Sequence, residues 1–380
     1  MAENLSALFT NSTNRSFSGT SAPNPSIYIF TPAGSTIKQA LVFSMVTVAL
    51  IGFVGGSLIL HFLSQNKQPI VIQSSRFIKN LNLYIKSLAL SDILSTLVSL
   101  PLTCIQISFD LFQTHWACKI VRYFNIVFPV ITICNLVVIG IEKHLSLRRV
   151  PRTLSATAVR KLIFLAWFAG FAVVLLPATT FTGIRHDLNE THFTVICKYD
   201  TEYLPARIAF VSFTALVYYL PCIFLIVVNT LLVRKVHLRL KVNMMVFIQV
   251  DNSKQAKLRA AKIRGTVLLI TMTFAFIIPY FGYMGYAAYN MIAKPDIDFQ
   301  TDYVIRFSSG VIAFSNSAVN FVIYVVQMRG FRIFLKKFVC SARPAVLPEQ
   351  FDNAAKPGTR PGTTAYCAQV IEMAELEPTH

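Results

Sequence analysis

The chain has 380 residues, of which 54% are hydrophobic and only 14% are charged. A soluble domain carries about 25% charged residues, so this composition excludes a water-soluble globular protein and, for most of the chain, a disordered one. The net charge of +18 would suit a nucleic acid partner, but the placement of the basic residues argues against one.

Seven apolar segments follow one another along the chain, and each is long enough to cross a bilayer core of about 30 Å. Because a segment in lipid must satisfy its backbone hydrogen bonds internally, each segment is predicted to be a helix. The fold class that follows is an all-α membrane protein, with residues 38–327 forming a seven-helix transmembrane bundle. The predicted spans are 38–63, 80–107, 117–146, 159–182, 205–234, 262–291 and 303–327.

Basic residues concentrate after the first, third, fifth and seventh spans, and few lie in the alternate segments. Cytoplasmic loops carry the excess of Lys and Arg, so residues 1–37 are predicted to be extracellular and residues 341–380 to be a cytoplasmic tail. We therefore predict a multi-pass plasma membrane protein that contacts membrane lipids and binds no nucleic acid. Four Asn-x-Ser/Thr sequences fall on the predicted outer side and are candidate glycosylation sites: Asn4, Asn11, Asn14 and Asn189.

Residues 328–340 follow the last span and have a different pattern. Phe331, Phe334 and Phe338 form one apolar face, and the opposite face is basic. This pattern is typical of a short amphipathic helix that lies on the inner leaflet. Cys340 at the end of this segment is a candidate for S-palmitoylation, and the alternative is an unmodified thiol.

Polar residues inside the spans are costly in lipid, so those that occur are informative. Span two contains Leu-Ala-x-x-Asp ending at Asp92, and span seven contains Asn320-x-x-x-Tyr324. In span three, Glu142 lies near the inner end, 24 residues after Cys118. These motifs resemble those of the rhodopsin-like (class A) G-protein-coupled receptors, over about residues 38–340. The resemblance implies a receptor that binds an extracellular ligand and transmits the signal to heterotrimeric G proteins.

Two alternative functions stay open for a seven-span chain. One is a protein that binds a ligand without activating a G protein, and the other is a transporter. The sequence contains no internal repeat of the kind that gives transporters their paired broken helices. It also contains no His/Cys metal spacing, Gly-rich phosphate loop or nucleophile elbow, so we do not expect an enzyme.

The chain departs from the family at positions that relay activation. Lys143 stands where the family has the arginine of Asp-Arg-Tyr, and it keeps the charge without the planar fork. The inner end of span six is basic, so Lys143 is expected to meet like charge there, and agonist-free signalling is predicted. The residues assigned to the switch and to G-protein coupling are Glu142, Lys143, His144, Arg259, Asn320 and Tyr324. Further departures are Gly56 for asparagine, Asn229 for tyrosine, Thr273 for phenylalanine, Ile277 for tryptophan and Phe321 for proline.

Asp92 lies in mid-membrane, where a carboxylate is costly unless it is neutral, paired or hydrated. The resemblance implies an allosteric Na⁺ site around it and no other cofactor. The implied ligands all carry oxygen, which hard cations prefer: Asp92, Thr132, Asn316, Ser317 and Asn320. The alternative is a hydrated, protonatable carboxyl group that holds helices two, three and seven together.

The family's ligand pocket lies between the outer halves of spans three, five, six and seven. Asn125 stands where aminergic receptors have an aspartate, and span seven has no lysine for retinal, so a monoamine receptor and a photoreceptor are disfavoured. A peptide, a lipid or another small molecule stays open. The matching positions, with the arginines at outer helix ends, are Arg122, Asn125, Phe128, Pro129, Arg207, Tyr280, Phe281, Arg306, Phe307 and Phe314.

The three arginines of this set favour an anionic ligand, because a guanidinium binds carboxylate or phosphate through its fork. The alternative is that each pairs with Asp200, Glu202 or Asp302, or reaches water. Cys118 and Cys197 also lie on the predicted outer side, where disulfides persist, and we expect them to be joined.

Overall fold

The computed structural model of the protein describes residues 27–65, 76–110, 114–147, 154–199, 202–246, 253–295 and 297–342. Seven helices in this part of the chain are long and apolar enough to cross a membrane, as predicted. They are α1 (Ser35–Ser64), α2 (Arg76–Ser108), α3 (His115–Leu147), α4 (Ala156–Thr180), α5 (204–246), α6 (Ser253–Ala293) and α7 (Phe299–Gln327). Each predicted span falls within one of these helices, apart from the fourth, whose last two residues belong to a strand.

α3 is the central helix of the bundle. Of its most apolar window 78% is buried, against 28% in α1 and in α4. The outer helices instead expose large apolar side chains such as Phe43 and Phe164, each 74% accessible. A helix that is apolar on all sides is expected where one face meets protein and the other meets lipid.

Two of the helices contain a π-helical turn directly before a proline. In α2 the turn is Ser95–Ser99, before Pro101, and in α5 it is Ala215–Tyr219, before Pro221. Proline has no N–H and its ring crowds the carbonyl one turn earlier, and the wider π turn accommodates both effects. In α2 the turn also fixes a helix contact, because Ser99 Oγ donates to the Phe124 carbonyl of α3 at 2.6 Å.

The fold is mostly helical, and a small sheet lies at the end of the bundle that is predicted to be extracellular and is here called the outer end. β2 (Phe181–Asn189) and β3 (His192–Tyr199) form an antiparallel hairpin, and β1 (Ile27–Tyr28) adds to β3 in parallel. The hairpin carries β-branched and aromatic residues that suit strands, but its pairing depends on contacts that a search for long apolar spans does not detect. The predicted disulfide is confirmed: Cys197 of β3 is bonded to Cys118 of α3.

A further helix, α8 (Arg329–Ala342), begins directly after α7. Its Phe331 is fully buried, and the Phe331 ring lies 5.5 Å from Phe62 of α1 and 6.2 Å from Phe321 of α7. Arg332, Lys336 and Lys337 of α8 are exposed, and so is Phe338, at 48%. Cys340 is partly buried. Asn4, Asn11 and Asn14 and the tail from residue 343 onward lie outside the described residues.

Candidate functional site

A cavity of about 360 Å³ lies at the outer end of the bundle. Its walls come from α3, α5, α6 and α7, and the β2–β3 hairpin covers it. The disulfide between Cys118 and Cys197 fixes β3 to α3 at the cavity wall. The volume lies in the range of about 300–1,000 Å³ that is usual for small-molecule sites.

One side of the cavity is an aromatic wall. Phe181 of β2, Tyr199 of β3 and Phe210 of α5 all line it. The ring centroids of Phe181 and Tyr199 are 4.8 Å apart, and those of Tyr199 and Phe210 are 4.0 Å apart. Ile126 and Met284 add apolar surface. The wall can therefore bury an apolar or aromatic group.

The polar lining contains four cationic side chains and two carboxylates. Both carboxylates are in ion pairs: Glu202 Oε1 lies 2.8 Å from Lys294 Nζ, and Asp302 Oδ2 lies 3.1 Å from Arg306 Nη2. The hydrogen bond and charge of Lys294 lower the pKa of Glu202. The other oxygen of Asp302 accepts from the Tyr286 hydroxyl at 2.8 Å. The cations are Arg122, Lys198, Lys294 and Arg306.

Arg122 differs from the paired cations. It is 8% exposed and forms no ion pair within the part of the chain that the structure describes. Its Nη2 donates to the Cys197 carbonyl at 2.9 Å, and its guanidinium lies 5.6 Å from the centre of the Phe181 ring. Its Nε is buried and has no hydrogen-bond partner. The cavity therefore has at its wall a buried cation that is not directly paired with any carboxylate of the described residues.

The structure brings together three of the ligand-binding residues expected from the sequence, since Arg122, Asn125 and Arg306 line the cavity. Arg207 instead donates from Nε to the Met291 carbonyl at 3.1 Å. Phe281 is 57% exposed on the outside of α6. The remaining expected residues are buried elsewhere in the bundle and do not line this cavity: Phe128, Pro129, Tyr280, Phe307 and Phe314.

The residues that sequence reasoning missed lie mainly on the hairpin and on the outer turns of α6. Phe181, Ile196 and Tyr199 flank or face the disulfide-bonded strand, and Tyr283 and Tyr286 lie one to two turns beyond Pro279. The signal that could have found the hairpin residues was Cys197 itself. Because Cys197 is bonded to the outer end of α3, the residues next to it in β3 must also lie at that end of the bundle.

Asp92 lies deep in the bundle, 5% exposed, and joins α2 to α7. Its Oδ2 accepts from Asn320 Nδ2 at 2.9 Å and its Oδ1 from Ser317 Oγ at 3.4 Å. Thr132 Oγ1 is bonded to Ser91 Oγ at 3.0 Å and not to Asp92. The side-chain oxygens of Asn316 and Asn320 are buried without a partner. The unpartnered oxygen of Asn320 belongs to the same amide that bonds to Asp92, and an oxygen next to a carboxylate fits a hard cation. Thr132 is engaged with Ser91.

The inner end of α3 carries a second polar cluster. Glu142 Oε1 accepts from Asn80 Nδ2 of α2 at 2.7 Å. Lys143 is 4% exposed, and its Nζ lies 3.9 Å from the centre of the Phe77 ring of α2. The sequence predicted like charge near Lys143. The structure gives it an aromatic neighbour, and the side chains of Lys257 and Arg259 lie outside the described residues.

The other residues assigned to coupling are also placed. His144 is exposed, whereas Tyr324 is 1% exposed within the bundle. Asn189 is exposed at the end of the hairpin. Asn229 is buried and its Nδ2 has no partner, beside a cavity of about 10 Å³ that it shares with Lys143. That volume is about the size of one water molecule.

Two departures from the family have a packing explanation. Gly55 of α1 lies against Phe321 of α7, and a methyl group built at residue 55 would overlap the Phe321 ring. A Cβ at Gly56 would lie 2.7 Å from Ile93 Cγ1, so the asparagine that the family has there would not fit beside Ile93. α1 and α7 therefore approach closely through a glycine on one side and a phenylalanine ring on the other.

The comparisons with known proteins agree with this geometry. The family described as 7 transmembrane receptor (rhodopsin family) matches residues 69–324. The crystal structure of squid rhodopsin has the same fold, with a TM-score of 0.64 and 17% sequence identity, covering 94% of this chain and 98% of that chain. No curated protein matches the chain in sequence. The family match spans well over half of the residues, and the chain belongs to the rhodopsin family of seven-transmembrane receptors.

Proposed function

We propose that this member of the rhodopsin family of seven-transmembrane receptors binds an extracellular ligand in the outer cavity and activates heterotrimeric G proteins at its inner end. The observation that carries the proposal is the cavity itself, enclosed by α3, α5, α6 and α7 under a hairpin that a disulfide bonds to α3. A ligand that contacts several helices at once can shift the population between their arrangements.

The proposed orientation places the cavity outside the cell and the C-terminus inside, in the plasma membrane. Cys118, Cys197 and Asn189 all lie at the cavity end, which suits an oxidising, glycosylating compartment. The test is an N-terminal epitope tag on intact cells. Antibody labelling without permeabilisation, together with a glycosidase-sensitive mass, would agree with the proposal, and labelling only after permeabilisation would contradict it.

Coupling to G proteins is proposed for the inner end, where α3 is tied to α2 through two neighbouring residues. Glu142 bonds to Asn80, and Lys143 lies on Phe77. α8 extends from α7 at the same end, with its basic face exposed. We propose that α8 lies on the inner leaflet and that Cys340 is palmitoylated. Loss of hydroxylamine-sensitive labelling in Cys340→Ser, but not in Cys222→Ser, is the expected result.

The decisive experiment is an agonist screen of peptide, lipid and metabolite libraries on cells that carry sensors for several G-protein classes. At least one compound should activate a sensor in cells that express the receptor and not in matched cells without it. Compounds that bind the purified protein but move no sensor would favour the binding-only alternative, which the departures at Lys143, Asn229 and Ile277 make worth testing. Ligand flux into sealed vesicles would instead indicate a transporter.

A further inference from the structure

We propose that the ligand of the outer cavity is a monocarboxylate with an apolar or aromatic body, and that Arg122 is the residue that anchors its carboxylate. The proposal deepens the proposed function at the same site and rests on it only in taking the outer cavity as the ligand site. Arg122 is a buried guanidinium at the cavity wall without a carboxylate partner among the described residues.

A buried cation without a counter-ion is costly, and proteins normally pair such groups. The other two cations with a carboxylate nearby are paired: Lys294 with Glu202 and Arg306 with Asp302. Among the described residues Arg122 has only uncharged partners, the Cys197 carbonyl and the face of the Phe181 ring, and its Nε has no hydrogen-bond partner. A ligand carboxylate would supply the missing charge and accept from that Nε.

Arg306 extends the same basic surface, since it lines the cavity from α7 and its Nε is also buried without a partner. Its charge is already balanced by Asp302, whose second oxygen is held by Tyr286. Arg306 is therefore a secondary contact. The presence of Asp302 and Glu202 in the lining also limits the ligand's charge, because a phosphate dianion would meet both carboxylates. Lys198, the fourth cation of the lining, is only partly buried, so solvent screens its charge, and the buried charge left to balance is that of Arg122 alone. One negative charge on the ligand matches it.

The other lining residues and the volume of the cavity indicate the chemistry and size of the rest of the ligand. The wall formed by Phe181, Tyr199 and Phe210 is apolar and aromatic, and about 360 Å³ is at the small end of ligand sites. A small organic acid fits these limits, and so does the C-terminal residue of a peptide, which presents the same carboxylate next to an apolar side chain. The two sources share one recognition chemistry and differ in what lies outside the cavity.

Arg122 also has a structural role, because its bond to the Cys197 carbonyl helps hold β3 in place. A purely structural arginine would leave the receptor indifferent to ligand charge. The readout must therefore be the preference for acid over neutral analogue, measured by binding alone. Binding is detected as a rise in the thermal unfolding midpoint of the purified receptor, which follows ligand concentration and affinity without any G protein.

The probes are 3-phenylpropanoate, indole-3-acetate and decanoate, a tetrapeptide with a C-terminal phenylalanine carboxylate, and the primary amide of each. We expect at least one acid to raise the midpoint at millimolar concentration, while its amide does not. Arg122→Gln should lower the affinity for that acid by about 30-fold or more, since truncating one side of a buried charge pair costs at least this much. Arg185→Gln is the matched control, because Arg185 lies in β2, pairs with Asp187 and does not line the cavity.

Arg122→Lys provides a second test in case Arg122→Gln does not fold. It keeps the charge and loses the fork, so it should retain a preference for acid over amide with reduced affinity. The proposal is overturned if amides bind as well as acids, if acid binding persists in Arg122→Gln, or if no acid stabilises the receptor at all. A receptor that binds the acid but activates no G-protein sensor would contradict the proposed function and leave this inference standing. Activation by neutral ligands alone would support the proposed function and contradict this inference.

Discussion

The outer and inner ends of the bundle each bury a cation on α3, and they compensate for it in different ways. At the inner end Lys143 lies on the ring of Phe77, beside a cavity of about 10 Å³. At the outer end Arg122 faces a cavity of about 360 Å³, and its Nε has no partner. Both cations lie over an aromatic ring, but Lys143 Nζ is 3.9 Å from the centre of the Phe77 ring, whereas the Arg122 guanidinium is 5.6 Å from that of Phe181 and lines an open cavity. The proposed ligand site is therefore at the end with the open cavity, and the proposed G-protein switch is at the end where the cation is packed against a ring.

The largest expected effect comes from releasing the outer end. Cys197→Ser removes the bond that fixes β3 to α3 across 79 residues of sequence, and the chain-entropy account gives a loss of roughly 4 kcal/mol in the free energy of unfolding. We expect reduced surface delivery and a lower unfolding midpoint for the purified receptor. Cys104→Ser is the control, since Cys104 is a free cysteine.

Peptide mapping under non-reducing conditions tests the same point directly. It should recover residues 118 and 197 in one cross-linked fragment. Recovery of both as free thiols, or a Cys197→Ser receptor with unchanged midpoint and surface level, would show that the outer end does not depend on this bond.

The second prediction concerns the packing of α1 on α7. Gly55→Ala places a methyl group into the Phe321 ring, and overpacking of a core costs about 1–3 kcal/mol. Gly282→Ala is the control, because nothing lies within 4 Å of a Cβ built there, and alanine in a helix should be neutral or stabilising.

The double variant Gly55→Ala with Phe321→Ala separates this clash from a general effect of alanine in α1. It should recover part of the stability that Gly55→Ala loses, giving a coupling energy between the two sites. Additive losses in the double-mutant cycle, measured by thermal unfolding, would mean that the ring of Phe321 does not limit residue 55.

Much of this architecture could be predicted from the sequence, because it depends on properties that each segment carries by itself. A run of apolar residues long enough to cross lipid must be a helix, and two cysteines on the side predicted to be oxidising can form a disulfide at the end of α3. What could not be predicted depends on how each helix is rotated about its axis. Phe281 and Arg207 lie on the expected helices but do not line the cavity, since Phe281 is exposed on α6 and Arg207 donates to the Met291 carbonyl.

Helix rotation is hard to infer here because these helices are apolar on nearly every side, so hydropathy alone does not indicate the inward face. The π turns before Pro101 and Pro221 change the rotation again partway along α2 and α5. The aromatic partner of Lys143 was missed for a related reason. In a sequence, the expected partner of a lysine is a charged residue, and a phenylalanine on α2 carries no charge that would indicate it.

The third prediction tests the middle of the bundle, between the two ends. If Asp92 holds Na⁺ with the oxygens of Ser317, Asn316 and Asn320, sodium should lower agonist affinity by about fivefold or more, through coupling to the resting state. Asp92→Asn should abolish this dependence. Thr132→Val should weaken it less, because Thr132 bonds to Ser91 and not to Asp92. Equal agonist affinity in a sodium buffer and in a buffer of a large organic cation would contradict a sodium site at Asp92.

The smallest expected effect, and the most direct test of the inner end, is at Phe77. The ring lies between Lys143 of α3 and α6, where a Cβ built on Gly265 would be 3.1 Å from Phe77 Cε1. Any displacement of α6 therefore alters the packing around the ring. Cation–π contacts contribute about 2 kcal/mol when they are desolvated, as at the buried Lys143. Only the part that differs between the resting and active arrangements matters, so Phe77→Leu should raise agonist-free signalling by about two- to fivefold.

Phe77→Tyr keeps the aromatic face and should signal like the unmodified receptor, while Phe164→Leu repeats the aromatic-to-aliphatic change at a position on α4 that is 74% exposed. The measurement is G-protein activation without agonist, plotted against receptor surface density for all four proteins. The agonist-free signalling predicted from the sequence assumed that Lys143 has only like charge nearby. Because the ring of Phe77 replaces part of that missing tie, the unmodified receptor should give a shallower slope than Phe77→Leu. Equal slopes would show that Lys143 is held by other contacts, and the inner end would then not be closed by this pair.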